Sequence, residues 1–178
     1  MLTSHEILRK AAAALDEAGI RWMLLEPVSL ALLEVPATPH ARVTILADGV
    51  PFSCSDQLNR AFLGQSGIVA MKWSWFILDA SGGIRITIAQ PNSPLDHASL
   101  DYATSVAFED QTVPVAPLEL LLIHAIRKDN RSVIEAIEQR GGIDWDFLDA
   151  TLPSEIERWD RLEVARVYEQ LNRLRRIH

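Results

Sequence analysis

The 178-residue sequence predicts an α/β fold of the α+β kind, a mixed β-sheet of about five strands flanked by helices and followed by a helical C-terminal segment. Three stretches carry this reading. Trp22 to Asp48 reads as strand, short helix, strand; Ile68 to Ala89 reads as a hairpin; and from Pro117 onward apolar residues recur at helical spacing. Hydrophobic residues make up 48% of the chain, enough for a sizeable core in about one domain's length. Residues 1–150 form the expected core, and 151–178 a last helix packed on that core or on a partner.

Taken in order, Thr3 and Glu6 have the spacing of a capping box, and Ile7, Leu8, Ala11, Ala14, Leu15 and Ala18 repeat at helical intervals until Gly19. Ile20 to Leu25 is apolar enough for a buried strand. Pro27 then stands at the first position of a short helix through Leu30, Ala31, Leu32 and Leu33, which Pro36 and Pro39 end. From Ala41 to Ala47 the residues alternate, Val43 and Ile45 on one face and Arg42, Thr44 and Leu46 on the other. Ser53 or Ser55 caps a helix running to Leu63. The hairpin follows, with arms Ile68 to Leu78 and Ile84 to Ala89. Its second arm points Ile84, Ile86 and Ile88 to the core and Arg85 and Thr87 outward or into a cleft.

Gln90 to Leu100, rich in Pro, Asn and Ser, reads as a loop, and Thr104 to Phe108 and Thr112 to Val115 as two short strands. Pro117 opens a helix through Ile126. Asp144 caps a short helix, and Pro153 begins a last helix of about six turns with Ile156, Trp159, Leu162, Ala165, Leu171 and Leu174 on one stripe.

The formal charge of -7 and pI near 5.2 argue against nucleic-acid binding, which needs a basic surplus to displace counterions. The single cysteine, Cys54, leaves no intramolecular disulfide and no cysteine zinc site. No leader-like segment opens the chain and no apolar stretch approaches the roughly 18 residues of a membrane span, so a soluble, cytoplasmic protein with no membrane contact is expected. His5, His97 and His124 show no metal-ligand spacing, and Ser81-Gly82-Gly83 lacks the Lys-Ser/Thr that completes a phosphate loop.

The strand, short helix, strand order of Trp22 to Asp48 resembles the minimal, abortive-infection and antitoxin-like branch of the nucleotidyltransferase superfamily. The passage VPVAPLELLLIHAIRKDNRSVIEAIEQRGGIDWDFL is similar to that family's strand, Pro-x-Glu-x-Leu helix, Arg-Lys-Asp turn and following helix, with Val115, Pro117, Glu119, Leu120, Arg127, Lys128 and Asp129 in the matching places. In that family a glycine pair lets the backbone approach a nucleoside triphosphate, two strand aspartates hold divalent metal, and a third carboxylate on a later strand completes the site. Here Glu26 and Pro27 stand for the glycines, no Asp or Glu occurs from Val35 to Ala47, and Arg85 and Thr87 occupy the arm where the third acid belongs. His124 replaces a lysine that the family often carries in the first helix of the matched passage.

The resemblance implies that Glu26, His40, Arg42, Arg85 and Thr87 share a cleft that has exchanged acids for bases, with Arg127 and Lys128 nearby. Two readings stand: a weak site for a nucleotide or other anion, or a filled cleft in which Glu26 pairs with an arginine. Arg127, Lys128 and Asp129 also read as a basic helix end followed by an N-cap. No catalytic residue, metal or cofactor is expected; the alternative is Mg2+ and a nucleoside triphosphate held by the displaced acids Glu26, Asp48 or Asp79. Trp73 and Trp75, two apart on a strand, either stack a base or anchor an interface, so a protein partner or homodimer is expected through these tryptophans and the last helix.

Overall fold

The computed structural model describes residues 4–26, 28–35, 43–49, 55–62, 67–71, 74–78, 84–108 and 111–176. The side chains of 4, 5, 55, 67–71, 74, 75, 78, 84 and 85 fall outside what is described. Apolar residues at helical spacing make α1 (Ser4–Glu17), which ends where Gly19 takes a φ of +66° and its N–H reaches Asp16 O at 2.9 Å. Thr3, the expected cap, lies outside the described residues. The buried strand β1 (Trp22–Leu24) leads into the single-turn helix α2 (Val28–Leu32), and β2 (Val43–Ala47) follows. Next come α3 (Ser55–Phe62) and the strands β3 (Gly67–Met71), β4 (Ser74–Leu78) and β5 (Ile84–Ala89).

The expected hairpin is present, with β4 antiparallel to β5 and Ile77 opposite Ile86. Its first arm differs from the sequence reading. Ile68 to Leu78 is two strands rather than one, β3 turning back antiparallel on β4, which is one reason the sheet has seven strands instead of about five. Trp73 lies outside the described residues, and of Trp75 only the backbone is described, opposite Ala70 and Ile88.

Gln90 to Leu100 is not simply a loop. Ser93 caps α4 (Pro94–Asp101), its side chain accepting the Asp96 N–H at 3.1 Å while Pro94 fills the first turn, where a missing N–H does no harm. The Pro and Ser that suggested a loop are a helix start, and Leu95, Ser99 and Leu100 bury the inner face. Strands β6 (Thr104–Phe108) and β7 (Gln111–Val115) follow as expected, then α5 (Leu118–Arg127) and α6 (Arg131–Arg140).

Asp144 caps α7 (Trp145–Ile156) by accepting the Phe147 N–H at 2.9 Å. Pro153, expected to begin the last helix, instead sits exposed inside α7, and the last helix is α8 (Arg161–Arg175), begun by Asp160 accepting the Glu163 N–H at 2.8 Å. A proline inside a helix strands one carbonyl and costs about 3 kcal/mol, but here water can serve that carbonyl on the solvent face, and Asp160 supplies the side-chain cap that Pro153 cannot. The shift also moves Leu162 off the inner stripe, leaving it 79% exposed, while Val167, Leu171 and Leu174 are buried.

The sheet order is β3-β4-β5-β2-β1-β7-β6. It is mixed: β2 runs parallel to β5 and β1 to β7, while β1 and β2 are antiparallel. One core joins α1 and α3 to Trp22, Leu24, Val43, Ile45, Ile77, Ile86, Ile88, Val113 and Val115. The other joins α4 to α8 and Leu30 to Met23 and Leu46 on the opposite face. No helix among the described residues is long and apolar enough to cross a membrane.

Candidate functional site

Strands β2 and β5 run side by side with Thr44 opposite Thr87 and Ile45 opposite Ile88. Because Val43, Ile45, Ile86 and Ile88 belong to the α1/α3 core, alternation turns Thr44 and Thr87 to the other face, the one that α5 covers. Thr87 Oγ1 is buried there with no hydrogen-bond partner. Beside it in the sheet, Leu25 N–H donates to Thr44 O at 2.8 Å, and Ser29 Oγ donates to Leu24 O at 2.5 Å, which fixes the entry into α2. Glu26 lies in that turn, its side chain 16% exposed. Glu26 Oε2 is 3.4 Å from Lys128 Nζ and Oε1 is buried without a partner.

Among the described residues Glu26 pairs with a lysine; the arginines expected to meet it, Arg42 and Arg85, have side chains outside what is described. Lys128 is the C-cap of α5; Asp129 follows at a φ of +52° and Asn130, one residue later than the sequence suggested, caps α6 by accepting the Val133 N–H at 3.4 Å. The cap reading of Arg127, Lys128 and Asp129 holds in that form. Arg127 turns to α8, its Nε donating to Glu163 Oε1 at 2.6 Å and its guanidinium lying 4.9 Å over the Trp159 ring. Of the expected cleft residues, Glu26 and Lys128 meet, Thr87 faces the same side of the sheet, and Arg127 is diverted. His40 and Arg42 lie outside the described residues, as does the side chain of Arg85.

Three further groups complete this region, of which the sequence reading singled out His124 and missed Asp96 and Glu155. His124 on α5 is largely buried, with Nε2 4.0 Å from Asp96 Oδ1. Burial first, and then the Lys128 cation, push its imidazole down to about 4 against the opposing pull of Glu26. It is neutral near pH 7, so its approach to Asp96 is not an ion pair there. Asp96 itself accepts the Asn92 N–H at 3.2 Å. Glu155 of α7, 2% exposed, accepts the Leu95 N–H at 3.0 Å and Trp159 Nε1–H at 3.3 Å. Asp96 was hidden because its segment read as a loop, and Glu155 because Pro153 was taken as a helix start. The one available signal was Ser93-Pro94, a cap and first-turn pair.

Glu119, from the Pro-x-Glu-x-Leu passage, has a structural task. Its Oε1 accepts the Asp144 N–H at 2.5 Å, clamping α5 to the start of α7, and burial raises its pKa above the ordinary carboxylate value despite that hydrogen bond.

The donor chemistry can be compared with that of a divalent cation, which Mg2+ sites build from hard, mostly anionic oxygens. The described donors are two threonine hydroxyls and one carboxylate engaged by a lysine, and they do not make such a set. Asp48, a displaced acid considered above, accepts from Arg21 Nη2 at 2.5 Å; Asp79 lies outside the described residues. Among the described residues no group of three or more His, Cys, Asp or Glu side chains is arranged to hold a metal ion.

No family model and no curated protein sequence matches this chain. Solved structures do. The crystal structure of ANT(2")-Ia in complex with adenylyl-2"-tobramycin superposes with a TM-score of 0.55 at 13% identity, over 85% of this chain and 98% of that one. The lincomycin-bound lincosamide antibiotic adenylyltransferase LnuA gives 0.53 at 12% identity, over 79% of this chain and 99% of that one. The solution structure of the antibiotic-resistance factor ANT(2'')-Ia gives 0.53 at 12% identity, over 98% of this chain and 97% of that one. At such identities the likeness is one of architecture, and the architecture of this chain is the nucleotidyltransferase fold.

Proposed function

We propose that the protein is a catalytically inactive, cytoplasmic nucleotidyltransferase-fold protein that acts as an interaction or regulatory partner. The observation that carries this is the pair Thr44 and Thr87 at the centre of the sheet, with no acid from Val35 to Ala47. Nucleotidyl transfer rests on metal-assisted positioning and charge neutralisation, with little else for the protein to supply. Hydroxyls give a divalent ion far less than carboxylates do, and an arginine at position 42 adds repulsion on the order of several kcal/mol. The resembling antitoxin-like branch makes a toxin–antitoxin pair the first setting to test. Partner contact through Trp73, Trp75 and the outer side of the last helix belongs to this proposal, supported by exposed Leu162 and by the shallow apolar groove of about 510 Å3 that Pro153, Ile156, Trp159, Val164 and Ala165 line.

A second reading, metal-dependent transfer of a nucleoside monophosphate, is favoured by the unpartnered Glu26 Oε1 and Thr87 Oγ1 and by the similar structures of the adenylyltransferase LnuA and of ANT(2")-Ia with adenylyl-2"-tobramycin. Titration calorimetry with ATP, with and without Mg2+, separates the two. Weak, Mg2+-independent, salt-sensitive binding at most, weakened further by Arg42→Ala or Arg85→Ala, is the expected result. Tight binding that requires Mg2+, or transfer of labelled nucleotide to any acceptor, would overturn the first reading and make Glu26, Asp48 and Asp79 the ligand candidates.

A further inference from the structure

The parallel pair β1 and β7 ends at Leu24 and Val115, and there the chain leaves for α2 and α5. Open α/β sheets most often take a ligand outside the carboxyl ends of such strands. A cavity of about 280 Å3 lies at this place, between the end of α2, the start of β6 and the starts of α5 and α7. Ligand pockets commonly measure about 300–1,000 Å3, so this one suits a small molecule. Its walls are of two kinds. Leu33, Pro117, Leu118 and Phe147 are apolar, and Tyr102, 60% exposed, stands at the mouth with its ring edge-on to Phe147 at 4.7 Å between centroids. The charged wall is Glu119, Arg140 and Asp144. Arg140 is fixed in orientation, since Nε donates to Leu33 O at 2.7 Å and Nη1 to Gly141 O at 3.3 Å, which leaves Nη2 with no partner among the described residues. Gly142, at a φ of +78°, keeps the guanidinium uncovered, because a Cβ there would stand 3.5 Å from Nη1. Glu119, 5% exposed, accepts the Asp144 N–H; burial first, and then the nearby Asp144 carboxylate, oppose its ionisation. Two acids crowded in this way favour a cation beside them.

We propose that this cavity binds a free α-amino acid with an apolar or aromatic side chain. The ligand carboxylate meets the Arg140 guanidinium, its ammonium group meets Glu119 and Asp144, and its side chain lies on Leu118 and Phe147 beside the Tyr102 ring. A zwitterion is selected over a simple anion or cation because both signs of charge line one small cavity. An apolar side chain is selected because the remaining walls are chiefly apolar, and a polar one would be desolvated there without enough partners. The cavity is separate from the centre of the sheet: Glu119 stands in the first turn of α5 and Lys128 caps its far end, on the order of 13 Å away along the helix. The proposal is therefore independent of whether the Glu26 and Thr87 region takes a nucleotide.

Titration calorimetry of the full chain with L-phenylalanine and L-leucine tests it. Both bind saturably, one per chain, whereas phenylpropionate, which lacks the ammonium group, and L-phenylalaninamide, which lacks the carboxylate, bind the wild type about tenfold or more weakly. Arg140→Gln abolishes the discrimination against the amide. Glu119→Gln, whose amide oxygen still accepts the Asp144 N–H, narrows the discrimination against phenylpropionate. A purely structural role for either residue would weaken all the ligands alike, and circular dichroism confirms that each variant folds. Absence of saturable binding of both amino acids to the wild type, an amide bound as tightly as phenylalanine itself, or a discrimination unchanged in folded Arg140→Gln would each overturn the assignment.

Discussion

The face of the sheet under α1 and α3 and the face under α4 to α8 are built from the same strands, yet they treat polar groups differently. On the first, Ile7, Leu8, Leu15, Leu58 and Phe62 close over Ile45, Ile77, Ile86 and Ile88, and the fully buried described residues are apolar, although Gln57 of α3 buries its Oε1 without a partner. The buried polar side chains, Ser29, Asp96, Ser99, Glu119 and Glu155, lie on α2, α4, α5 and α7. Two of these do a particular job: Glu119 accepts the Asp144 N–H at the start of α7, and Glu155 accepts the Leu95 N–H at the start of α4, each satisfying the free donor of a helix it does not belong to. The two-helix layer has its polar ties at the margin, where Trp22 Nε1–H donates to Asp16 Oδ1 at 2.7 Å and Lys10 Nζ to Ala61 O at 2.9 Å, whereas in the layer of five helices buried carboxylates clip helix starts from within.

Truncation in the dry layer should therefore have the largest effect. Ile45 is completely buried in the middle of β2, and Ile45→Ala is expected to lose about 2–5 kcal/mol, the usual range for an unrelaxed core cavity. Urea unfolding followed by fluorescence measures it. A loss below about 1 kcal/mol would show that α1 and α3 settle onto the sheet more freely than their packing implies.

The polar layer should respond to pH, and the dry one should not. His124 has its folded pKa lowered to about 4 from an ordinary 6.5, so between those values the unfolded chain binds the extra proton and stability falls as pH falls. The full contribution is present above about pH 6.5 and amounts to about 3 kcal/mol. Glu119, raised by burial, acts in the opposite sense: its folded form holds a proton longer than the unfolded form, so it lowers stability as pH rises above the ordinary carboxylate value. His124→Leu isolates the first effect. Unfolding curves from pH 7 to pH 4 should flatten in this variant relative to wild type; parallel curves would mean that the imidazole is solvated and titrates normally.

Glu155→Ala comes next, with an expected loss of about 1–3 kcal/mol, because it leaves the buried Leu95 N–H unsatisfied. Hydrogen exchange should locate the damage at the start of α4 and spare α1 and α3. Equal acceleration in both layers would argue against the clip.

How much of this was readable beforehand follows the same division. The dry layer was legible because a two-residue or 3.6-residue apolar period is written directly in Val43 to Ala47, Ile84 to Ala89 and Ile7 to Ala18. The polar layer was only half legible. The helix after Pro117 and the Asp144 cap could be read, but Ser93-Pro94 looked like a loop and Pro153 like a helix start, since the same residues punctuate both. The extra strand β3 was concealed because Ile68 to Leu78 is apolar throughout, and a continuous run carries no mark of where the chain reverses. In the candidate site, the absence of acids on β2 was visible in the sequence itself. That Glu26 would meet Lys128, and that His124, Asp96 and Glu155 would gather on the same side of the sheet, depended on the packing of α4, α5 and α7, which no local pattern encodes.

The smallest effect is expected at Thr87, where it is also the most telling. Its hydroxyl is buried on the polar side of the sheet with no partner, so it contributes a desolvation penalty and no hydrogen bond in return. Thr87→Val keeps the β-branched shape that suits a strand and replaces the hydroxyl by a methyl of similar size. In a site without catalysis the variant should be as stable as wild type or more stable by up to about 1 kcal/mol, and its ATP titration should be unchanged. In an active site, where the hydroxyl and Glu26 Oε1 await a ligand, the same change would leave stability untouched and weaken Mg2+-dependent nucleotide binding by about tenfold, the usual worth of one hydrogen bond to a charged group. Denaturant midpoints and calorimetry on one pair of proteins give both readings, and a loss of affinity without a loss of stability would move the polar face of the sheet from scaffold to binding site.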